Sequence, residues 1–205
     1  MCGVPYVVAP FEAEAQCAFL EEANLVDGVV TEDSDSLLFG CRNVVRNLFG
    51  PKPHLFTSSQ IKSDLGLVRE DMVKMAIFMG CDYTKGVSGI AAVNAVEVVS
   101  AWTDKSRVGD GLVRFKDWVD KRLGEIGQET KRNRQLEIIE EVLEEDEGIE
   151  EDRVQAQIEK RYIAQHRNYR YNWVFPANFP DFEIIEEFMT PKVDRSLEEF
   201  SWAEP

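Results

Sequence analysis

The apolar positions of this chain follow one period near its start and another after about residue 58. GVPYVVAP is a compact apolar run closed by Pro10, and it predicts a short buried strand with the proline opening the next helix. FEAEAQCAFLEEANL reads as that helix, with Ala15, Cys17, Ala18 and Leu20 turned inward. VDGVVT predicts a second buried strand, SDSLLFG a short helical turn and RNVVRNLF a third strand. HLFTSSQI is an extended piece that leads into a helix. Strand, helix and strand at these spacings predict a βαβ unit within an α/β fold whose sheet is mostly parallel.

From Ser59 onward the pattern is helical. REDMVKMAIFMG places Met72, Met75, Ala76 and Met79 at helical spacing. TKGVSGIA is a turn punctuated by glycine, AVNAVEVVSAW the next helix and GLVRFKDWVDKRL a further amphipathic one. Residues 130–167 are helical by propensity, with an apolar stripe at Leu136, Ile139, Val142 and Leu143 and a break at Gly148. The tail is rich in proline and aromatics, with one short helix near 181–189. Four segments are expected: an α/β piece at 1–58, a helical region at 59–128, a charged helical segment at 129–172 that is a candidate for mobility, and a tail at 173–205 packing on the core.

Composition sharpens the picture. The four cysteines are far apart and form no CxxC pair, which argues against structural zinc or a disulfide framework and for reduced thiols inside a cell. No apolar run is long enough to span a bilayer, so no membrane partner is expected. The net charge of −15 speaks against phosphate binding when taken over the whole chain. Much of it sits in QLEIIEEVLEEDEGIEED, which reads as a solvated helix face, with an electrostatic gate or a docking site for a basic partner as the sharper alternative.

The candidate chemistry lies in two acidic motifs. In VVTEDSDSLLFG an extended backbone turns Asp33 and Asp35 to one side and Glu32 away. In FEAEA, Glu12 and Glu14 open the preceding helix. Strand C-terminal ends and helix N-terminal ends share one edge of a βαβ unit, so both pairs are expected at that edge. Either pair alone fits helix capping as well as it fits ligation. Four carboxylates together, with no cation among them, suit hard divalent ions such as Mg²⁺, two of which can clamp a phosphodiester. The turn Gly86, Val87, Ser88, Gly89, Ile90 precedes a helix whose first N–H groups are free to meet a phosphate, and it is an equally natural helix connection. Arg42 and Arg46 flank the third strand as candidate phosphate contacts or plain surface charges. EKRYIAQHRNYRYNWVF mixes cations with tyrosines and fits either nucleic-acid contact or packing of the tail.

The motifs EAEA, EDSD and GCDY, in this order and followed by TKGVSGI, resemble the flap-endonuclease family of structure-specific nucleases. The tail FPANFPDFEIIEEFMTPKVDRSLEEFSWAEP is most similar to the xeroderma pigmentosum group G branch. The resemblance implies a flap-nuclease (PIN-like) core with a helix-hairpin-helix extension. It implies an Mg²⁺-dependent endonuclease, with Mn²⁺ as a substitute ion, cutting DNA at single-strand/double-strand junctions in nuclear excision repair beside other repair proteins. It places the metal ligands and catalytic carboxylates at Glu12, Glu14, Asp33, Asp35 and Asp82. It places the duplex contact, with a K⁺ ion, at Gly86, Val87, Ser88, Gly89 and Ile90.

Where that family offers basic residues after the hairpin, this chain has Ala91, Ala92, Val93 and Asn94. The resemblance further implies a region N-terminal to Met1 with more metal ligands, so the sequence is expected to be an internal piece of a longer nuclease. A nuclease-like scaffold without catalysis, or an interaction module worked by the acidic run, remains the alternative.

Overall fold

The computed structural model describes residues 4–125, 150–166 and 173–196, and the chain divides into two compact units, Met1–Val73 with Phe182–Pro205 and Lys74–Asp181. The unit boundary therefore falls within a helix, α4 (Arg69–Met79), and not at residue 58. The tail contributes its helix α8 (Phe182–Met189) to the first unit. The four segments expected from composition are not the packing units, because composition changes where side chains change and packing follows contacts.

In the first unit, α1 (Ala13–Glu22) precedes β1 (Val29–Val30), α2 (Asp35–Leu38), β2 (Asn43–Arg46), β3 (His54–Thr57) and α3 (Ser58–Leu65). β1 runs parallel to β2 with Val29 opposite Val44, and α2 lies in the crossover between them. β3 returns antiparallel to β2, from Asn43 opposite Thr57 to Arg46 opposite His54. The α/β architecture is as expected, while the sheet is mixed and not mostly parallel. The connection over residues 47–53 is too short for the crossover that a parallel partner needs.

GVPYVVAP is not a strand. Val4, Tyr6 and Val8 are exposed and Pro5, Val7 and Ala9 half-buried, so the alternation of a strand is present without a ladder. A strand is held by a hydrogen-bonded neighbour, and none of the three described strands pairs with it. Of the four α1 residues expected inside, Ala15, Ala18 and Leu20 are buried and Cys17 half-buried.

Two polar anchors organise this unit. The buried carboxylate of Glu21 accepts the backbone N–H groups of Arg42 (2.6 Å) and Asn43 (2.9 Å) and the Asn43 side-chain amide (2.7 Å), fixing the start of β2. The Arg69 guanidinium donates from Nε to the Leu38 carbonyl (2.8 Å) and from a terminal nitrogen to the Phe188 carbonyl (2.5 Å). It thus closes the C-terminal ends of α2 and α8, whose free carbonyls attract a cation. Phe39 and Phe188 are in ring contact in the same unit, centres 5.1 Å apart and tilted by 52°.

The second unit holds the rest of α4 with α5 (Ala92–Ala101), α6 (Asp110–Glu125) and α7 (Glu150–Gln165). The buried stripe of α4 is Val73, Ala76 and Ile77, while Met72 and Met75 are half-buried and Met79 exposed, so the methionine stripe read from the sequence lies about one position off the true one. Phe115 of α6 is the hub of the core, within ring contact of Phe78 (5.5 Å), Trp102 (5.8 Å), Trp173 (5.3 Å) and Tyr162 (6.3 Å). Buried Lys74 pairs with Asp104 at 3.0 Å, and Asp104 also accepts the N–H groups of Gly109 and Gly111. Helix α7, in the segment that was a candidate for mobility, is packed. Tyr162 is buried, Glu159 pairs with Arg114, and Gln155 donates to the Ala101 carbonyl at 2.8 Å. The apolar stripe at 136–143 and most of the acidic run lie outside the described residues.

Burial, reinforced by Glu21 and Cys17, pushes the Cys41 thiol from its ordinary 9.0 up to about 12. In the unfolded chain it ionises near the ordinary value, so between about 9 and about 12 the unfolded state holds fewer protons and stability falls as pH rises. Urea titrations across that window should show a steeper loss for the wild type than for Cys41→Ala. Parallel curves would contradict this account.

Candidate metal and nucleic-acid site

The acidic turn after β1 is built from its own side chains. Thr31 Oγ1 accepts the Asp33 N–H at 3.0 Å, Asp33 Oδ1 accepts the Asp35 N–H at 2.9 Å, and the buried Ser36 hydroxyl donates to the Asp33 carbonyl at 2.9 Å. The Cys41 N–H then returns to the Ser36 carbonyl at 3.0 Å. Short polar side chains that bond to nearby backbone are what allow so tight a turn between strand and helix. Thr31 and Ser36 were not singled out from the sequence. Their signal was present, as two hydroxyl residues bracketing three carboxylates.

The backbone is not extended through Asp35 as expected, because Ser34 is already helical (φ −74°, ψ −21°) and Asp35 opens α2, so strand alternation does not set how Asp33 and Asp35 face. Glu32 is engaged by β2 and the residue after it. It accepts the Asn47 N–H at 2.6 Å and lies 3.7 Å from Arg46 Nε, while Arg46 also donates to the Glu32 carbonyl at 2.6 Å. Arg42 donates to the Glu21 carbonyl at 2.7 Å. Both arginines offered as phosphate contacts therefore already hold the first unit together.

Glu12 is the N-cap of α1 and Glu14 lies in its first turn, and Glu12 makes no side-chain cap bond. Asp35 occupies the first turn of α2, and α1 packs against both α2 and β1. The two carboxylate pairs thus stand at the N-terminal ends of two helices in mutual contact, where the helix dipoles favour negative charge. Among the described residues, Glu12, Glu14, Asp33 and Asp82 form no ion pair. Within the first unit Glu12, Glu14 and Asp33 offer carboxylate oxygens alone, which in kind fit a hard divalent ion. No three acidic, histidine or cysteine groups among the described residues are close enough together to hold one. Asp33 also does part of the capping work that the bland reading assigns it, through one oxygen.

In the second unit Asp82 is exposed in the turn after α4, where Cys81 and Thr84 form a small bridge. The hairpin to α5 is tied by the Val87 N–H on the Phe78 carbonyl (2.7 Å) and by Ser88, which exchanges both backbone bonds with Val174 at 3.0 Å. Those amides are spent on the protein. The donors left for a phosphate belong to the first turn of α5, where Ala91 supplies no side-chain cap and Ala92 and Val93 are exposed. Gly86, Val87 and Ile90 are buried, and Ser88 and Gly89 exposed.

A small α/β layer with an acidic turn after its first strand, continued by a helix-hairpin-helix, is the architecture of flap-nuclease cores. The XPG I-region model matches residues 3–82. The chain is 31% identical to DNA repair protein RAD2 of Saccharomyces cerevisiae over 205 residues, which is 99% of this chain and 17% of that protein. It is 33% identical to DNA repair protein rad13 of Schizosaccharomyces pombe, covering 99% of this chain and 16% of that one. The catalytic core of Rad2 solved with DNA substrate superposes with a TM-score of 0.67 at 28% identity, over 98% of this chain and 54% of that one. The chain is therefore a relative of the flap-endonuclease and xeroderma pigmentosum group G nucleases, and spans about a sixth of the length of these curated relatives.

The hairpin geometry makes a direct prediction. Gly86 has φ +68°, and a Cβ there would overlap backbone atoms of Phe78, Met79 and Gly80. Gly66, with φ +71°, caps α3 in open space. Gly86→Ala should cost about 2–4 kcal/mol and Gly66→Ala about 1 kcal/mol in denaturant titrations. Equal costs would show that the hairpin backbone is not so confined.

Proposed function

We propose that this chain is the internal, metal-binding part of an Mg²⁺-dependent endonuclease that cuts DNA at single-strand/double-strand junctions, bubbles or 5′-flaps, in nuclear excision repair. The observation that carries the reading is the pair of carboxylate motifs, Glu12 with Glu14 and Asp33 with Asp35, at the N-terminal ends of two helices that pack together, with Glu12, Glu14 and Asp33 in no ion pair among the described residues. Family likeness along nearly the whole chain supports it. In this reading Glu12, Glu14, Asp33 and Asp35 hold divalent ions, and Asp82 is the further ligand that the resemblance implies. A bound Mg²⁺, or Mn²⁺ in its place, supplies an activated water and stabilises the leaving oxygen. A solved relative, GEN1 at 25% identity, carries product DNA with both ions.

The protein's own residues do the positioning. The Asp35 N–H holds Asp33 Oδ1 at 2.9 Å, which fixes that carboxylate against the turn. Ser36 and Thr31 keep the turn closed. The α4–α5 hairpin presents main-chain donors to the duplex backbone, with K⁺ as the ion such a turn would take. The remaining ligands and basic residues are assigned to a further N-terminal region of the same nuclease, and recruitment to other repair proteins.

The test is Mg²⁺-dependent cleavage of a labelled bubble and a 5′-flap duplex by the complete nuclease, comparing Asp33→Asn with wild type. The substitution keeps the acceptor for the Asp35 amide and removes the charge, so the turn survives. Cleavage should fall by at least about a hundredfold, since a metal ligand's charge is lost. Junction binding should be retained. Wild-type turnover by Asp33→Asn would sink the assignment.

A further inference from the structure

The basic residues of this chain are outnumbered, 23 against 38 acidic ones, and those on α7 are placed unlike the rest. At 100° per residue, Gln155, Glu159, Tyr162 and His166 share one face of the helix. That face is the packed one. Tyr162 lies among Trp102, Phe115 and Trp118, and Glu159 pairs with Arg114. His166 stacks on Tyr162 and meets Glu97 of α5 at 3.2 Å.

The opposite face carries Arg153, Gln157, Lys160, Arg161 and Ala164, all exposed. From 153 to 165 the sole acid is Glu159, which is turned inward to Arg114. Arg153, Lys160 and Arg161 make no ion pair among the described residues. Helix α6 shows the ordinary alternative, exposing Asp117 and Asp120 beside Lys121. From 153 to 164 the charges on this face are all positive, after the acidic start Glu150, Glu151, Asp152 of the helix, and on a chain of net charge −15 they make a local positive field against the general trend.

We propose that the outer face of α7 binds the phosphate backbone of duplex DNA and supplies the cations that the helix after the hairpin lacks. The inference rests on the DNA-nuclease reading above. The turn itself carries one exposed cation, Lys85, and after it this chain has Ala91, Ala92, Val93 and Asn94 and no Lys or Arg through the end of α5. Helix α7 packs directly on α5, the helix that the hairpin opens, so the two contacts are fixed to each other within one unit. Arg153 and Arg161 are eight residues apart, about 12 Å along the axis, or roughly three to four phosphate steps at 3.4 Å per strand. Such contacts are indifferent to sequence and release counterions, so they show in the salt dependence of binding.

The experiment is fluorescence anisotropy of a labelled duplex with the full 205-residue chain across a salt series. The variant Arg153→Gln/Lys160→Gln/Arg161→Gln is set against Lys52→Gln/Lys62→Gln/Lys105→Gln, which removes the same charge from exposed positions elsewhere. The α7 variant should bind about tenfold more weakly at about 0.1 M salt, with its log–log salt slope reduced by about 2 to 3. The control triple should change by less than about twofold. Thermal melts of both should match wild type, because all six side chains are exposed, and Lys160→Gln alone should give a smaller shift of the same sign. Equal losses in both triples would reduce the effect to bulk charge and overturn the proposal, as would no loss in either. A wild-type chain that does not bind duplex at low salt would overturn it as well. Failure of metal-dependent cleavage with duplex binding intact would instead count against the nuclease reading.

Discussion

The Arg69 guanidinium is the contact on which the first unit turns. Helix α2 has four residues, too few to be stable by its own hydrogen bonds, and it carries Asp35. It keeps its place because both ends are held. Ser36 and Asp33 close the N-terminal side, and Arg69 closes the C-terminal side on the Leu38 carbonyl. The same guanidinium also donates to the Phe188 carbonyl of α8, so a helix more than a hundred residues away in sequence becomes part of the support for the acidic turn. Burial lowers the Arg69 pKa below its ordinary value, with Glu70 and Glu22 pulling it back, yet an arginine stays charged under any folding condition. A lysine offers no planar fork and would lose part of this bonding.

A second constraint is how each unit spends its charges. Arg42 and Arg46, read from the sequence as phosphate contacts or surface charges, are engaged with Glu21 and Glu32, whose own carboxylates hold backbone N–H groups. Lys74 and Asp104 do the same in the second unit. Charges so used are fixed in position, and a mutation there acts through the fold. Against that background, Glu12, Glu14 and Asp33 stand out because no cation pairs with them among the described residues, and Arg153, Lys160 and Arg161 of α7 because no anion there does. Functional charge is read more safely from missing compensation than from the charge itself.

The sequence made most elements legible because their patterns are local. Helices α4, α5, α6 and α8, the strand β2 and the turn at α2 fall within a few residues of where periodicity places them. The failures have one cause. GVPYVVAP has the alternation of a strand, but a strand depends on its neighbour, and that dependence is invisible in one segment. The direction of β3 was hidden for the same reason, since pairing is a property of two strands. On α4 several apolar residues offer alternative stripes, and the partner surface chooses Val73, Ala76 and Ile77. Of the site, the carboxylates were legible as a composition anomaly. Of their supports, Thr31 and Ser36 left a local signal in the hydroxyls that bracket the acidic run, whereas Arg69 acts through long-range hydrogen bonds to backbone that no residue pattern encodes.

The tyrosines and cations of residues 159–171 show how structure decides between readings that a sequence leaves balanced. Taken as a string, EKRYIAQHRNYRYNWVF suits nucleic acid and core equally. On α7 the two roles separate by helical phase. Tyr162 is buried against Trp102 and Phe115, so its ring has no face to offer a base and belongs to the core. Lys160 and Arg161 lie on the far side, exposed and in no ion pair among the described residues, and belong to the surface, while residues 167–172 of the string lie outside the described residues. Burying the aromatic residue is what points the cations outward and holds them there. Packing and recognition are then two faces of one helix, and the core contact fixes the direction of the charge.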